Sequence, residues 1–305
     1  MEQFSDLDNS ALTVGQAIQL CWEHLRDSEV FYGHGTDNPW DEAAQMVLAV
    51  AQLPADSDDG ALPHPVSADQ ARELQSLLHR RINDRVPLPY LLGRAWFAGL
   101  EFASDSRAII PRSPIAELIL RDYQPWYYGP QPQAILDLCC GGGCIGLAAA
   151  HYGQAQVDLA DLDADALALA KINREKLQLV DRVDIYSSDL FSGLPQKRYD
   201  LILSNPPYVD NEDLQSMPAE YHHEPELSLG SGPDGLELTR KILAQASEYL
   251  RDTGLLVVEV GNSWEALERR YPKVPFTWIE FEHGGHGVFA LSAKELQEYS
   301  RSFLG

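Results

Sequence analysis

From Gln133 onward, strand-like and helix-like segments alternate, and this alternation narrows the fold more than any other feature of the chain. The strand candidates are Ala134–Leu138, Gln156–Asp161, Val183–Tyr186, Leu201–Ser204, Gly254–Val260, Thr277–Phe281 and Gly287–Leu291. Helical patterns fall at Ile145–Tyr152, Ala164–Leu177, Gly235–Leu250 and Ser263–Tyr271. Alternating βα units imply a parallel sheet covered by helices on both faces. The last two strands are joined by His283-Gly284-Gly285-His286, too short for a helical crossover, so they must pair as an antiparallel hairpin. The expected fold is therefore α/β, a seven-stranded sheet whose last strand is antiparallel.

The chain before this region reads differently. Ala11–Arg26 carries apolar residues on one helical face. Asp37-Asn38-Pro39 is a helix start signal, and Asp41–Leu53 continues it as a dense apolar run. Pro54–Val66 reads as a loop, and Ser67 with Gln70 forms a capping box opening a helix over Ala68–Arg85. Ala95–Phe102 looks like a β-hairpin turning at Gly99, and Pro111–Tyr123 reads as a short helix. The expected division is a small helical domain over 1–95, a hairpin linker over 96–111 and the α/β domain over 112–305.

Charge restricts the partners. The 305 residues hold 23 basic and 46 acidic side chains, a net charge of −23. Met1–Arg94 has 6 basic and 15 acidic residues, so the acidity is not confined to one tail. Such a body is repelled by naked nucleic acid, which argues against direct DNA binding and against RNA contact. It is attracted to a basic partner, although the same charge also serves as a solubility surface. No apolar run approaches the roughly 18 residues of a membrane span, so no membrane association is expected. The start Met-Glu-Gln-Phe-Ser-Asp lacks the pattern of a secretory signal. Three of the four cysteines, Cys139, Cys140 and Cys144, crowd into six residues, which is no disulfide framework. The expected compartment is the reducing cytoplasm. Structural zinc takes four ligands with short spacers, so these cysteines form no expected metal site.

Two loops carry the chemistry. Asp137-Leu138-Cys139-Cys140-Gly141-Gly142-Gly143-Cys144 sits at a strand-to-helix turn, where glycines allow close approach of a ligand to the backbone. Asp161 ends the second strand 24 residues after Asp137, where a carboxylate holds ribose hydroxyls; Asp163, or a merely solvated strand end, is the alternative. Asp189 ends the third strand and is placed to accept adenine amino protons, with Leu190 against the ring; a helix cap is the alternative. The fourth strand runs into Asn205-Pro206-Pro207-Tyr208, whose prolines stop pairing and stiffen the loop at the carboxyl end of the sheet.

Asp137–Gly146, Asp161, Asp189 and Asn205–Tyr208 together resemble the Rossmann-like class I methyltransferases that use S-adenosylmethionine. Asn-Pro-Pro-Tyr is the signature of those that methylate planar amide or amino nitrogens. The resemblance assigns Asp137, Cys139, Gly141, Gly143, Asp161, Asp189, Leu190 and Arg112 to the cofactor, which leaves as S-adenosylhomocysteine. It assigns Asn205, Pro206 and Tyr208 to catalysis: the Asn205 side-chain oxygen and the Pro206 carbonyl accept the two amide protons, and Tyr208 stacks on the amide. Pro207, Glu224 and Pro225 join these three in binding the substrate, although loop packing explains Glu224-Pro225 equally well.

Tyr32–Glu42, Arg112-Ser113-Pro114, Tyr221–Glu226 and Val274–Trp278 are similar to the protein-glutamine methyltransferases. Within them they are similar to the PrmB branch, which acts on the large-subunit ribosomal protein numbered three. In that family the helical domain grips the protein substrate. Tyr32 and Trp40 also suit a core role, and Arg112 with Glu117 also suits a helix-face pair. The glycine loop departs from the family texture at Cys140–Gly143. The resemblance implies a glutamine methyltransferase with a basic ribosomal protein as partner, met before or during ribosome assembly. A glutamine methyltransferase of release factors, an adenine methyltransferase of nucleic acids and a non-catalytic assembly chaperone are the rival readings.

Overall fold

A computed structural model describes residues 2–8 and 12–304, which divide into two compact units. The first holds the described residues up to Arg94 together with Pro218–His223; the second holds Ala95–Met217 and the described residues from Glu224 on.

The first unit is helical. Helix α1 (Val14–Arg26) starts on a capping box between Thr13 and Gln16. Ala11, where the pattern placed its start, lies outside the described residues. Helix α2 (Pro39–Val50) begins with proline in its first turn behind the Asn38 cap, a position where the missing N–H costs nothing. Helix α3 (Ala68–Ile82) uses the expected Ser67–Gln70 box. It stops three residues before the expected end, ahead of Arg85 in the left-handed region and the Pro87 turn. The short α4 (Leu88–Leu92) ends at Gly93, whose φ of 68° closes the turn. The core includes Val14, Ile18, Leu25, Met46, Val47, Leu74 and Leu78.

The second unit opens with the hairpin of β1 (Arg94–Phe97) and β2 (Leu100–Ala103). Ala98 and Gly99 both have positive φ, as a two-residue hairpin turn requires. Then come α5 (Ile115–Leu120), β3 (Ala134–Leu138), α6 (Cys144–Tyr152), β4 (Gln156–Asp161), α7 (Ala164–Lys176), β5 (Val183–Ser187) and β6 (Tyr199–Ser204). After these come α8 (Asn211–Ser216), α9 (Glu237–Tyr249), β7 (Leu250–Glu259), α10 (Trp264–Arg270), β8 (Thr277–Trp278), β9 (Val288–Ser292), α11 (Ala293–Glu298) and α12 (Ser300–Phe303).

The sheet order is β5-β4-β3-β6-β7-β9-β8. Neighbours from β5 to β7 run parallel, and β9 is antiparallel to both β7 and β8. Strand parity sorts the core. Ile135, Val157, Leu201 and Val257 face α5, α6 and α7, while Leu136, Ala160, Ile202 and Val258 face α9, α10 and α11. The parallel strands β3 and β6 are buried along their whole length, as a sheet covered on both faces demands.

Three boundaries differ from the expected ones. The hairpin is part of the second unit and not a linker over 96–111. Buried Asn173 of α7 accepts the Ala103 N–H at 2.7 Å and donates to the Ala103 carbonyl at 3.2 Å. Pro218–His223 leaves 112–305 for the helical unit, because Glu220 is buried there against Arg81 and Arg85. The expected strand Thr277–Phe281 shortens to Thr277–Trp278. Ile279 still donates to the Val288 carbonyl, but Glu282 and His283 turn their N–H groups onto the Glu117 carboxylate. Glu117 therefore does not pair with Arg112.

Candidate active site

The loops that follow β3, β4, β5 and β6 enclose a cavity at the carboxyl end of the sheet, where open α/β sheets bind ligands. Its lining includes Cys139, Gly141, Asp161, Asp189, Leu190, Asn205 and Pro207. Ile109, Leu162, Asp163, Ser188, Leu227, Ser228 and Leu238 complete it.

The glycine loop takes its shape from backbone torsions and two carboxylates. Cys139 has φ 60° and Gly141 φ 53°, so the chain doubles back directly after β3. A Cβ on Gly141 would meet nothing nearer than 3.9 Å, which leaves this side of the loop open to a ligand. Asp161 Oδ2 accepts the Gly141 N–H at 2.8 Å, and its Oδ1 accepts the Asp163 N–H at 2.9 Å. Burial pushes the Asp161 carboxyl above its ordinary value, against the pull of those two amides. Each oxygen keeps a lone pair for a further donor. Asn173 also donates to the Gly142 carbonyl at 3.0 Å, so one α7 side chain ties the loop to the hairpin.

Asp137 is fully buried and lies behind the loop. Its Oδ2 accepts the Gly146 N–H at 2.7 Å, at the start of α6, while its Oδ1 has no hydrogen-bond partner. Burial, helped by the charge of Asp161, pushes its pKa up to about 7 despite the Gly146 amide. Gly146 allows this approach, since a Cβ there would stand 2.8 Å from the Asp137 Cβ. Gly143, expected at the cofactor, is absent from the cavity lining. With φ 82° it caps α6, and a Cβ on it would press on Leu159, Leu147 and Ala170.

Asp189 is exposed and lines the cavity, and Leu190 beside it is buried with φ 48°. The turn after them is closed by Ser192, whose N–H and hydroxyl donate to the Asp189 carbonyl. Burial raises the thiol pKa of Cys139, Cys140 and Cys144, which keeps them protonated. Among the described residues no group of acids, histidines or cysteines could hold a metal ion.

Asn205 and Pro207 line the cavity; Pro206 is buried and Tyr208 half-buried, and both stand outside its lining. The Tyr208 hydroxyl donates to Glu259 at 3.0 Å, and Ser263 donates to the Tyr208 carbonyl at 2.8 Å. Arg112 is absent from the cavity lining. Its guanidinium forks onto the buried Glu224 carboxylate at 2.5 and 2.7 Å, and Ile110 N–H donates to the same carboxylate. A buried carboxylate is tolerated only with such partners, and the planar fork of arginine matches it. Pro225 follows directly, and Leu227 and Ser228 then reach the cavity.

The lining residues absent from the expected set are chiefly apolar. Leu162 and Leu227 are 56% and 61% exposed. Leu162 had a local signal, an apolar residue directly after an acidic strand end. Leu227 had none, because 23 residues separate it from the end of β6.

Known proteins match this chain along most of its length. The methyltransferase small domain family model matches residues 125–220. A ribosomal protein uL3 glutamine methyltransferase of Francisella tularensis is 43% identical over 300 residues, covering 98% of this chain and 96% of that protein. The chain belongs to this methyltransferase family. A uL3 glutamine methyltransferase of Xanthomonas campestris is 44% identical over 289 residues and 94% of each chain. Among solved structures, a methyltransferase from Pyrococcus furiosus matches 64% of this methyltransferase and 89% of its own chain, at 18% identity and a TM-score of 0.46. No described helix of the methyltransferase is long and apolar enough to cross a membrane.

Proposed function

We propose that this methyltransferase moves a methyl group from S-adenosylmethionine to the side-chain amide nitrogen of a glutamine in ribosomal protein uL3. The carrying observation is that Asn205 and Pro207 share one cavity with the glycine loop and the acidic ends of β4 and β5. The names of the two relatives supply the substrate class.

The residues present suit the cofactor. The loop at Cys139–Gly141 presents open backbone, Asp161 keeps acceptor capacity for ribose hydroxyls, and Asp189 stands ready for the adenine amino group. Leu190, Leu162 and Ile109 supply apolar walls for a flat ring. The bound cofactor supplies a sulfonium methyl open to direct displacement.

An amide nitrogen is a poor nucleophile because its lone pair is delocalised. The Asn205 oxygen accepts one of its protons and the Pro206 carbonyl the other. Two acceptors return electron density to nitrogen and fix its direction. Tyr208 packs against the amide plane and Pro207 forms the wall, while Glu224, held by Arg112, fixes the segment that runs through Pro225 to Leu227 at the cavity. Holding the reactants this way is worth effective molarities of about 10⁵ M or more. No strong base is needed, since the methylated nitrogen is acidic and gives up its proton readily.

The net charge of −23 attracts a basic protein and repels RNA-coated particles. We infer that free or early-assembling uL3 is the acceptor and that the helical unit takes hold of it. The test incubates the enzyme with labelled cofactor and, side by side, free uL3, mature ribosomal particles, a release factor and a duplex oligonucleotide. The expected result is one methyl on a glutamine of free uL3, with little on the others. Equal labelling of mature particles overturns the timing, and labelling of the release factor instead overturns the substrate.

A further inference from the structure

Glu259 ends β7 and is buried at 6% exposure. Hydroxyls occupy both of its oxygens: the Tyr208 phenol donates to Oε1 at 3.0 Å and Ser113 to Oε2 at 2.6 Å. Burial pushes its carboxyl above the ordinary value even so. A buried carboxylate that accepts from two neutral hydroxyls, with the charge of Arg112 offsetting only part of the burial, is costly to desolvate, and an apolar side chain would fill the same space more cheaply. Its presence therefore calls for a reason beyond packing.

The surroundings of Tyr208 supply one. One face of its ring lies on Gly261, where a Cβ would stand 2.5 Å from a ring carbon. Gly261 is backed in turn by Gly287, whose Cβ would come 2.2 Å from the Gly261 carbonyl oxygen. The Tyr208 carbonyl accepts from Ser263 and abuts Gly235, where a Cβ would approach it to 2.1 Å. Backbone thus covers one ring face and pins the main chain of Tyr208. Glu259 fixes the far end of the side chain. These contacts set the ring at a defined angle three residues after Asn205.

We propose that Glu259 is a positioning residue for methyl transfer: it anchors the Tyr208 phenol so that the ring presents its other face to the acceptor amide, and Ser113 holds the Glu259 carboxylate in register. This rests on the reading that Tyr208 faces the acceptor amide. Glu259 itself touches neither substrate nor cofactor. Its loss acts on the transition-state geometry and leaves ground-state binding in place.

The test is a double-mutant cycle with a resonance readout that does not depend on turnover. Glu259→Ala is expected to lower kcat about 10- to 100-fold, with KM for uL3 and the cofactor Kd within about threefold of wild type. Tyr208→Phe is expected to lose a similar factor, and the double variant no more than the larger single loss. Glu259→Gln keeps an acceptor for the phenol and is expected to restore activity to within about threefold. In parallel, 3-fluorotyrosine at position 208 gives a ¹⁹F resonance that is expected to shift and broaden in Glu259→Ala and to return in Glu259→Gln. If Glu259→Ala does not fold, Ser113→Ala reads the same link as a smaller shift in the same resonance. Losses that multiply, or a resonance unmoved by these changes, overturn the proposal. A wild-type enzyme that leaves uL3 unmethylated would refute the proposed function, while the resonance would still decide the role of Glu259.

Discussion

Two clusters of buried acids in this protein are held in opposite ways. In the helical unit, Glu42 and Glu220 close on Arg81, which is 1% exposed, at 2.5 and 3.2 Å, and Arg85 adds a bond to Glu220 at 3.1 Å. Burial would raise the Glu220 carboxyl, but the Phe31 N–H and Arg81 outweigh it and hold the group below its ordinary value. At the carboxyl end of the sheet, Asp137, Asp161 and Glu259 accept hydrogen bonds from backbone amides and hydroxyls, and burial raises all three. The first cluster is closed and structural. In the second, Asp161 lines the cavity, Asp137 lies behind the glycine loop with one oxygen unpartnered, and Glu259 holds Tyr208 and Ser113. Buried acids whose partners do not offset burial mark a functional site better than buried acids as such.

The largest break in this comparison is expected from Arg81→Leu. It strands two buried carboxylates and is expected to destabilise the helical unit by about 3–5 kcal/mol, read by urea denaturation. A loss below about 1 kcal/mol would mean that the arginine is not what holds that cluster.

The sheet-end cluster responds to pH instead. Burial raises the Asp137 carboxyl to about 7, well above the ordinary aspartate value of about 3.9, so the folded protein binds the extra proton between those values. Its contribution to stability is fully present below about pH 4 and is lost as pH rises through about 7. Thermal melts of the ligand-free protein are expected to fall across this window by about 2–4 kcal/mol on this account. Asp137→Asn, which keeps an acceptor for Gly146, is expected to flatten the slope. An unchanged slope would place the proton elsewhere.

Asp161→Ala is expected to raise the cofactor Kd by about 10- to 100-fold in calorimetry, because a charge-assisted acceptor is lost and the Gly141 amide is released. The smallest effect sharpens the rule that compensation matters where water is excluded. Lys176 pairs with Glu101 at 2.7 Å on the surface, and Lys176→Met is expected to cost about 0.5 kcal/mol or less.

Much of the sheet and of the glycine loop's place in it is legible in the sequence, because each rests on neighbours in the chain. Strand parity, the glycine run after Asp137, and Asn205–Tyr208 after an apolar strand are local patterns. The link between the last two strands, although longer in the structure than His283–His286, is still too short for a helical crossover and sets them antiparallel. What escaped depends on distant partners. The pairing of Arg112 with Glu224, 112 residues away, has no local signal, because a carboxylate buried by later packing takes a fork-shaped cation. The packing of Leu159 and Ala170 against Gly143 likewise has no signal in the glycine run itself. Glu220 gave no hint that its segment packs with the helices. Glu259 lies unmarked within the expected strand Gly254–Val260, because Ser113 and Tyr208 meet on it only in the fold. Helix α11 carries a capping box between Ser292 and Glu295, a local signal that the alternation of longer segments obscured.

The most direct measurement is mass spectrometry of free uL3 after incubation with S-adenosylmethionine and either the wild-type enzyme or Asn205→Ala. The account predicts one methyl on a glutamine side-chain amide with the wild type. It predicts a rate at least about 100-fold lower with Asn205→Ala, at unchanged cofactor affinity. Methylation of another residue type, or full activity in Asn205→Ala, would contradict it.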